Sequence, residues 1–482
     1  MIRHFAPVIV FAALLGGLAP MAARAAVSDA TINYYVKDGL RDDPRVDASQ
    51  IDSSTKEGIV TLSGTVNDLA TRDFAVREAE KVDGVLAVID QIVVSPGFHL
   101  DTDISNAVRR RILNSAIIDS QGLKVDCKDG VVTLSGEVTS YVEQQEAGLL
   151  ASEVRGVKEV KNDILTKWTS TRTDQEIKAD AVAALERDVY LTDLPITVTV
   201  RDGAVKLSGS VGNPYEKRRA YNAVRWVSNV KSVDNELTVT WYENHGVRDE
   251  QETPPDDELK VAVRKTLDQD SRVSANNIML RVSHGHVTLD GSVYSHYERD
   301  IAERDAKNVV GVGWVTNHLF ALVDKRADWA IANDIKFNLD TDFVTDNFHL
   351  DVNVRNGTAT LTGTVHTWYE RSHAYDVASR VRGVRTVLNN IQVSSANWKK
   401  DADLVTAIKS RLKGDWTTWW VLDKINVTVK DGVATLEGDV NSWDQRHKAG
   451  DLALHTAGVS EVDNRLTVKG IDYPWDEHHR ES

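Results

Sequence analysis

Ile196-Thr197-Val198-Thr199-Val200-Arg201-Asp202-Gly203-Ala204-Val205-Lys206-Leu207 reads as two alternating strands folded on a tight turn. Apolar residues at every second position suit a sheet with one face buried. Asp-Gly supplies the positive φ that a two-residue hairpin needs. The second strand closes on Gly209, and its glycine-to-glycine run recurs. It stands as Gly58-Ile59-Val60-Thr61-Leu62-Ser63-Gly64, as Gly130-Val131-Val132-Thr133-Leu134-Ser135-Gly136, and again at Gly285 to Gly291, Gly357 to Gly363 and Gly432 to Gly438. The closing glycines are 72, 73, 82, 72 and 75 residues apart. Twenty residues after each comes a second anchor: Gly84, Gly156, Asn229, Gly311, Gly383 and Gly458. A spacing held six times makes the chain an internal repeat.

Each unit carries two helical patterns around the hairpin. Before it runs an apolar i, i+4, i+8 row, from Ile32/Val36/Leu40 in the first copy to Leu404/Ile408/Leu412 in the last. An aspartate stands ahead of each row (Asp29, Asp101, Asp174, Asp256, Asp328, Asp401) and is expected to cap the helix. After the hairpin a second helix places alanine at one position in all six copies: Ala75, Ala147, Ala220, Ala302, Ala374 and Ala449. A small residue there lets a helix lie close on a sheet. A last strand such as Val233 to Val239 completes α-β-β-α-β. The expected fold class is α+β: six tandem two-layer units, each a three-stranded sheet with two helices on one face.

These motifs resemble the BON domain family. The V-x-V-x-D-G-x-V-x-L-x-G-x-V hairpin is clearest at Val125 to Val138, Val198 to Val211 and Val427 to Val440. Repeat one departs most, with a polar first strand (Asp52-Ser53-Ser54-Thr55) and Asp90 where the other copies have Asn. Repeat three has Asn229 in place of the anchor glycine. The units span residues 28–95, 101–167, 174–240, 256–323, 328–395 and 401–470. The resemblance implies a non-enzymatic envelope protein, associated with osmotic or envelope stress, that binds phospholipid surfaces. It carries over no catalytic residue.

Composition narrows the rest. With 72 acidic against 57 basic residues the formal charge is −15, which disfavours broad capture of nucleic acid. A single cysteine excludes an intrachain disulfide framework. Residues 1–25 read as a signal peptide: Arg3, an apolar stretch from Ala6 to Ala19, then Ala23-Arg24-Ala25 as the cleavage motif. Periplasmic release is expected, with no transmembrane span in the mature chain. Residues 241–255 form an acidic linker ending Glu252-Thr253-Pro254-Pro255, and the other joins are short. Six semi-independent beads in two arms of three are expected.

No constellation supports catalysis, a metal or a cofactor, and none is expected. His284-Gly285-His286 lacks a third ligand, and Asp340-Thr341-Asp342 with Asp346 lacks the glycine and glutamate of a calcium loop. Cys127 replaces a strand valine and reads as a small buried hydrophobe. The recurring Asn162, Asn235, Asn317, Asn389 and Asn464 read as backbone-bonding residues. Two features point to binding. Trp416, Trp419 and Trp420 crowd into the insertion of repeat six, and indole favours a membrane interface or partner. Aromatic residues beside cations open the second helices, among them Trp368 and Trp443, while Arg109, Arg110 and Arg111 form a basic patch on a first helix. These eight residues are the candidate lipid- or partner-binding set. A phospholipid surface or envelope proteins are the expected partners. The alternative is a chaperone-like or protein-interaction scaffold that holds unfolded or partner chains.

Overall fold

The computed structural model describes residues 27–118, 122–167, 172–188, 190–192, 194–240, 254–323, 325–394 and 399–468. The expected signal peptide (residues 1–25), most of the acidic linker and the C-terminal tail lie outside them. Six α-β-β-α-β units follow one another as read. In each, the first two strands pair antiparallel and the third returns parallel beside the second, which is therefore central. The second helix is the crossover that a parallel return requires. In repeat three the last strand is split into Ser232–Asn235 and Thr238–Val239.

The apolar patterns account for the packing. All eighteen residues of the first-helix rows are buried, and the six alanines are fully inaccessible on the second helices. Each unit has its own core of first helix, sheet and second helix. Both residues of each hairpin turn have positive φ, for example Asp202 at 51° and Gly203 at 76°, as a type I′ turn demands. Asn229 adopts φ 69°, since a short polar side chain tolerates the left-handed region. The polar first strand of repeat one still pairs over Ile51–Lys56: Ser53, facing the core, donates to Asn33 Oδ1 at 2.9 Å.

The aspartates do something other than cap. Each is the first residue of its helix, and its carboxylate reaches across to the hairpin turn. Asp29 accepts from the backbone N–H groups of Glu57 and Gly58 at 2.8 and 2.9 Å. Asp174 does the same with Asp202 and Gly203, and Asp401 with Asp431 and Gly432. The expected N-capping role is thus corrected. The turn's two N–H groups have no ladder partner, and a carboxylate at a helix N-terminus, itself favoured by the helix dipole, satisfies both. Helix and hairpin are tied in all six repeats.

The beads-in-two-arms expectation is also corrected. The chain folds back on itself so that repeat one pairs with six, two with five and three with four. The bonding is the same each time. The third residue after the second helix donates its N–H to a carbonyl at the C-terminal end of the partner's first helix: Asp83 to Gly414, Arg155 to Thr341, Ser228 to Gln269, Val310 to Arg187, Arg382 to Asn114 and Ala457 to Asp42, at 2.8–3.3 Å. Helix C-terminal carbonyls have no partner within their own helix, so each repeat completes another.

Candidate interaction sites

The predicted basic patch is taken up by the pairing of repeats two and five. Arg111 is 2% exposed; its guanidinium donates to the Asn338 carbonyl at 2.7 Å and to Asp342 at 3.1 Å. Arg110 pairs with Asp334 at 3.1 Å and lies over the Phe337 ring at 3.9 Å. Arg109 alone stays exposed, donating to the Val125 carbonyl of its own repeat. The reason is geometric: on a helix, three consecutive residues face different ways, and one of those ways is the pair axis.

The tryptophan cluster is likewise turned inward. Trp416 is 3% exposed, edge-on to Tyr190 and tilted against Tyr215 of repeat three, at ring distances of 5.1 and 5.6 Å. Trp419 and Trp420 are half-buried, Trp420 against the core of repeat six. Trp368 is half-buried, edge-on to His455 of repeat six at 6.1 Å. The side chain of Trp443 lies outside the described residues. Burial of Arg111 and Trp416 corrects the expectation that the whole set is presented to a membrane.

Aromatic residues at the second-helix starts meet second helices of neighbouring repeats. Tyr141 and Tyr221 hydroxyls are 3.0 Å apart, joining repeats two and three. Phe74 and Tyr369 stack edge-to-face at 5.6 Å, joining one and five. His296 Nε2 lies 2.9 Å from the Tyr375 hydroxyl, which donates to Asp300 at 3.0 Å. Burial pushes the Asp300 carboxyl up to about 7 and His296 down to about 4. At the pair of one and six, burial lowers Lys81 to about 8 despite Glu78 beside it. Burial would also raise Asp342, but His373 and Arg111 outweigh it and hold that carboxyl at about 2. These perturbed groups bind protein to protein, as structural ion networks also do.

Cys127 is partly buried with its Sγ 3.4 Å from Asp101, and burial with that carboxylate raises the thiol to about 11. A thiol so held is a poor nucleophile. All five recurring asparagines donate to a helix carbonyl, and Asn235, Asn317, Asn389 and Asn464 also accept from a backbone N–H. Asn464 donates to the Arg446 carbonyl at 2.8 Å and accepts from Leu466 N–H at 3.3 Å. In repeat one, Asp90 cannot donate, and Arg72 at the corresponding helix position donates to it at 2.8 Å. Among the described residues no group of three or more His, Cys, Asp or Glu is arranged to hold a metal ion. Nor is any described helix long and apolar enough to cross a membrane.

One surface was missed. On the open face of the repeat-four sheet, Met279, Tyr294, Phe320 and Leu322 are 65%, 62%, 58% and 51% exposed. Ser292 pairs with Phe320, and Asp290 with both Met279 and His318, so the four flank one strip. Arg281 and His318 both bond Asp290 within that strip. The other repeats carry Asp52, Lys124, Thr197, Asp351 and Asn426 where repeat four has Met279, and Asn67, Thr139, Gly212, His366 and Asn441 where it has Tyr294. At the Phe320 position repeats one and two also expose apolar side chains, Val93 and Leu165, but repeat four alone is apolar at all four positions, so the full strip is not something the fold needs. Position-by-position comparison of the repeats would have found it.

The BON domain profile matches residues 28–96, 100–167, 173–240, 255–320, 327–395 and 400–470. Osmotically-inducible protein Y of Escherichia coli (strain K12) is 36% identical over 148 residues, 29% of this chain and 74% of that protein. The outer membrane lipoprotein DolP of Haemophilus influenzae is 26% identical over 140 residues, 28% of this chain and 72% of that one. A solved structure of CdsD, a structural protein of the type III secretion system of Chlamydia trachomatis, aligns over 44% of this chain and 93% of its own. Its identity is 13% and its TM-score 0.13, too low to bear on the arrangement here. With the profile matched six times over nearly all of the described residues, the chain belongs to the BON domain family.

Proposed function

We propose that this chain is a non-enzymatic periplasmic protein of the osmotic- and envelope-stress kind that binds phospholipid surfaces. The similarity to an osmotically inducible protein and to an outer membrane lipoprotein supports the setting. The carrying observation is the apolar strip of repeat four, four exposed large side chains where sibling repeats are mostly polar. Tyr and Phe beside Arg281 and His318 make an interfacial surface, apolar at its centre and polar at its edge. Of the residues first singled out, Arg109 remains exposed, and the half-buried Trp368, Trp419 and Trp420 reach the surface in part. The formal charge of −15 opposes an anionic bilayer as a whole, so contact is local, and each basic residue near such a surface adds only about 1 kcal/mol.

The test is vesicle flotation of the mature chain, with zwitterionic liposomes and liposomes of graded anionic content. Parent protein is expected to float, Met279→Ser with Phe320→Ser to float markedly less, and Arg109→Glu to lose binding only at low salt. Equal flotation of the double variant and the parent contradicts the site. Failure of the parent to float, together with suppression of aggregation of a denatured client, favours the scaffold reading. Fractionation checks the compartment.

A further inference from the structure

All three pairs joined by backbone bridges, one with six, two with five and three with four, join the N-terminal half, residues 27–240, to the C-terminal half, residues 254–468. The backbone bonds from the end of one repeat's second helix to the partner's first helix are the same at all three pairs, so they supply affinity without choosing a partner. Charge supplies the choice. At the pair axis, repeats two and six carry Arg111 and Arg411, while their partners carry Asn338 and Gly39 at the same place. Each arginine donates to that partner residue's carbonyl, at 2.7 and 3.0 Å, and reaches an acid beyond it: Asp342 at 3.1 Å, Asp43 at 3.3 Å. Pairing two with six would set arginine against arginine. Where the second helix ends, repeats one, two and five carry Lys81, Glu153 and Arg380. Glu153 and Arg380 meet at 2.8 Å, whereas pairing one with five would oppose two cations. Attraction in one register and repulsion in others is how specific interfaces are made.

We propose that the two halves form a register-specific protein–protein interface that does not depend on the covalent join, so that the matching half of a second copy of this chain fits the same surface. The argument rests on charge complementarity and on continuity with the contact made inside one chain. Exchange of identical elements between copies is a low-barrier route to dimers when such a surface exists.

The test uses the full chain with a specific protease site placed between residues 241 and 253, folded first and then cut. The halves are expected to co-elute as a 1:1 complex on gel filtration. Two differently tagged cut preparations, mixed, are expected to yield hybrid complexes. Glu153→Gln and Arg380→Gln are each expected to speed exchange at least tenfold, and the double variant by much less than the product of the two. Circular dichroism of the uncut variants checks that each is folded. Halves that separate on cutting overturn the proposal. Exchange rates that multiply independently overturn the register, because they place residue 153 away from residue 380.

Discussion

Glu153 and Arg380 occupy the same place in repeats two and five, the residue that ends the second helix, and they meet at 2.8 Å. One backbone position thus carries opposite charges in the two repeats that touch. Arg380 also lies 3.9 Å from the buried Glu146 and over the Tyr297 ring of repeat four at 5.4 Å. A single guanidinium therefore serves three repeats.

Loss of that guanidinium should be severe. Arg380→Ala leaves the buried Glu146 without its cation and Glu153 with only Arg111, at 3.6 Å, and breaking a buried pair from one side costs about 3–5 kcal/mol. Urea unfolding is expected to show this loss, while truncation of the exposed Arg281–Asp290 pair, at 2.6 Å, changes stability by about 0–1 kcal/mol.

The Asp342–His373 pair at 2.9 Å predicts a pH window. Burial opposes charge on His373, but Asp342 prevails, with Glu153 and Asp376 in support, and raises the imidazole. A raised histidine stabilises fully below its unfolded value, about 6.5, and the gain is lost as pH rises through the folded value. Asp342, held at about 2, stabilises above its unfolded value near 4 and loses this as pH falls. The pair contributes most between roughly pH 4 and 6.5. Equilibrium unfolding of parent and His373→Gln should diverge there and converge above it; parallel profiles would remove the pair from the stability of repeats two and five.

Asn464 and Asp90 provide an internal control. Asn464→Ala strands a buried carbonyl and an N–H, at about 1–3 kcal/mol. Asp90→Asn in repeat one only exchanges an ion pair with Arg72 for a neutral bond, and thermal unfolding should register a far smaller change.

Trp416→Ala should lower stability by about 3–5 kcal/mol, the range for a large buried aromatic. Vesicle binding per folded molecule should be unchanged, because the ring packs on Tyr190 and Tyr215 inside the protein. A folded variant with reduced flotation would restore the tryptophan as a contact residue.

The units were legible because their signals are local. Alternation in Ile196–Val200, the Asp-Gly turn and the four-residue rows need nothing from the rest of the chain. The role of Asp29 was less so: capping logic looks three residues ahead, and the aspartate's partner is Gly58, 29 positions on. An aspartate-to-turn spacing of 29 in five repeats, and 31 in the sixth, was the available signal. The pairing was invisible because it depends on which repeats touch. Arg109, Arg110 and Arg111 form one run in sequence, yet the fold sends one to solvent, one to a ring and one to a buried acid.

Small-angle scattering of residues 26–482 tests the pairing of one with six, two with five and three with four most directly. Paired repeats predict a radius of gyration near that of a compact chain of this length, about 22 Å by globular scaling, with a single-peaked distance distribution. A substantially larger radius with a long tail of distances, as from beads on linkers, would contradict it.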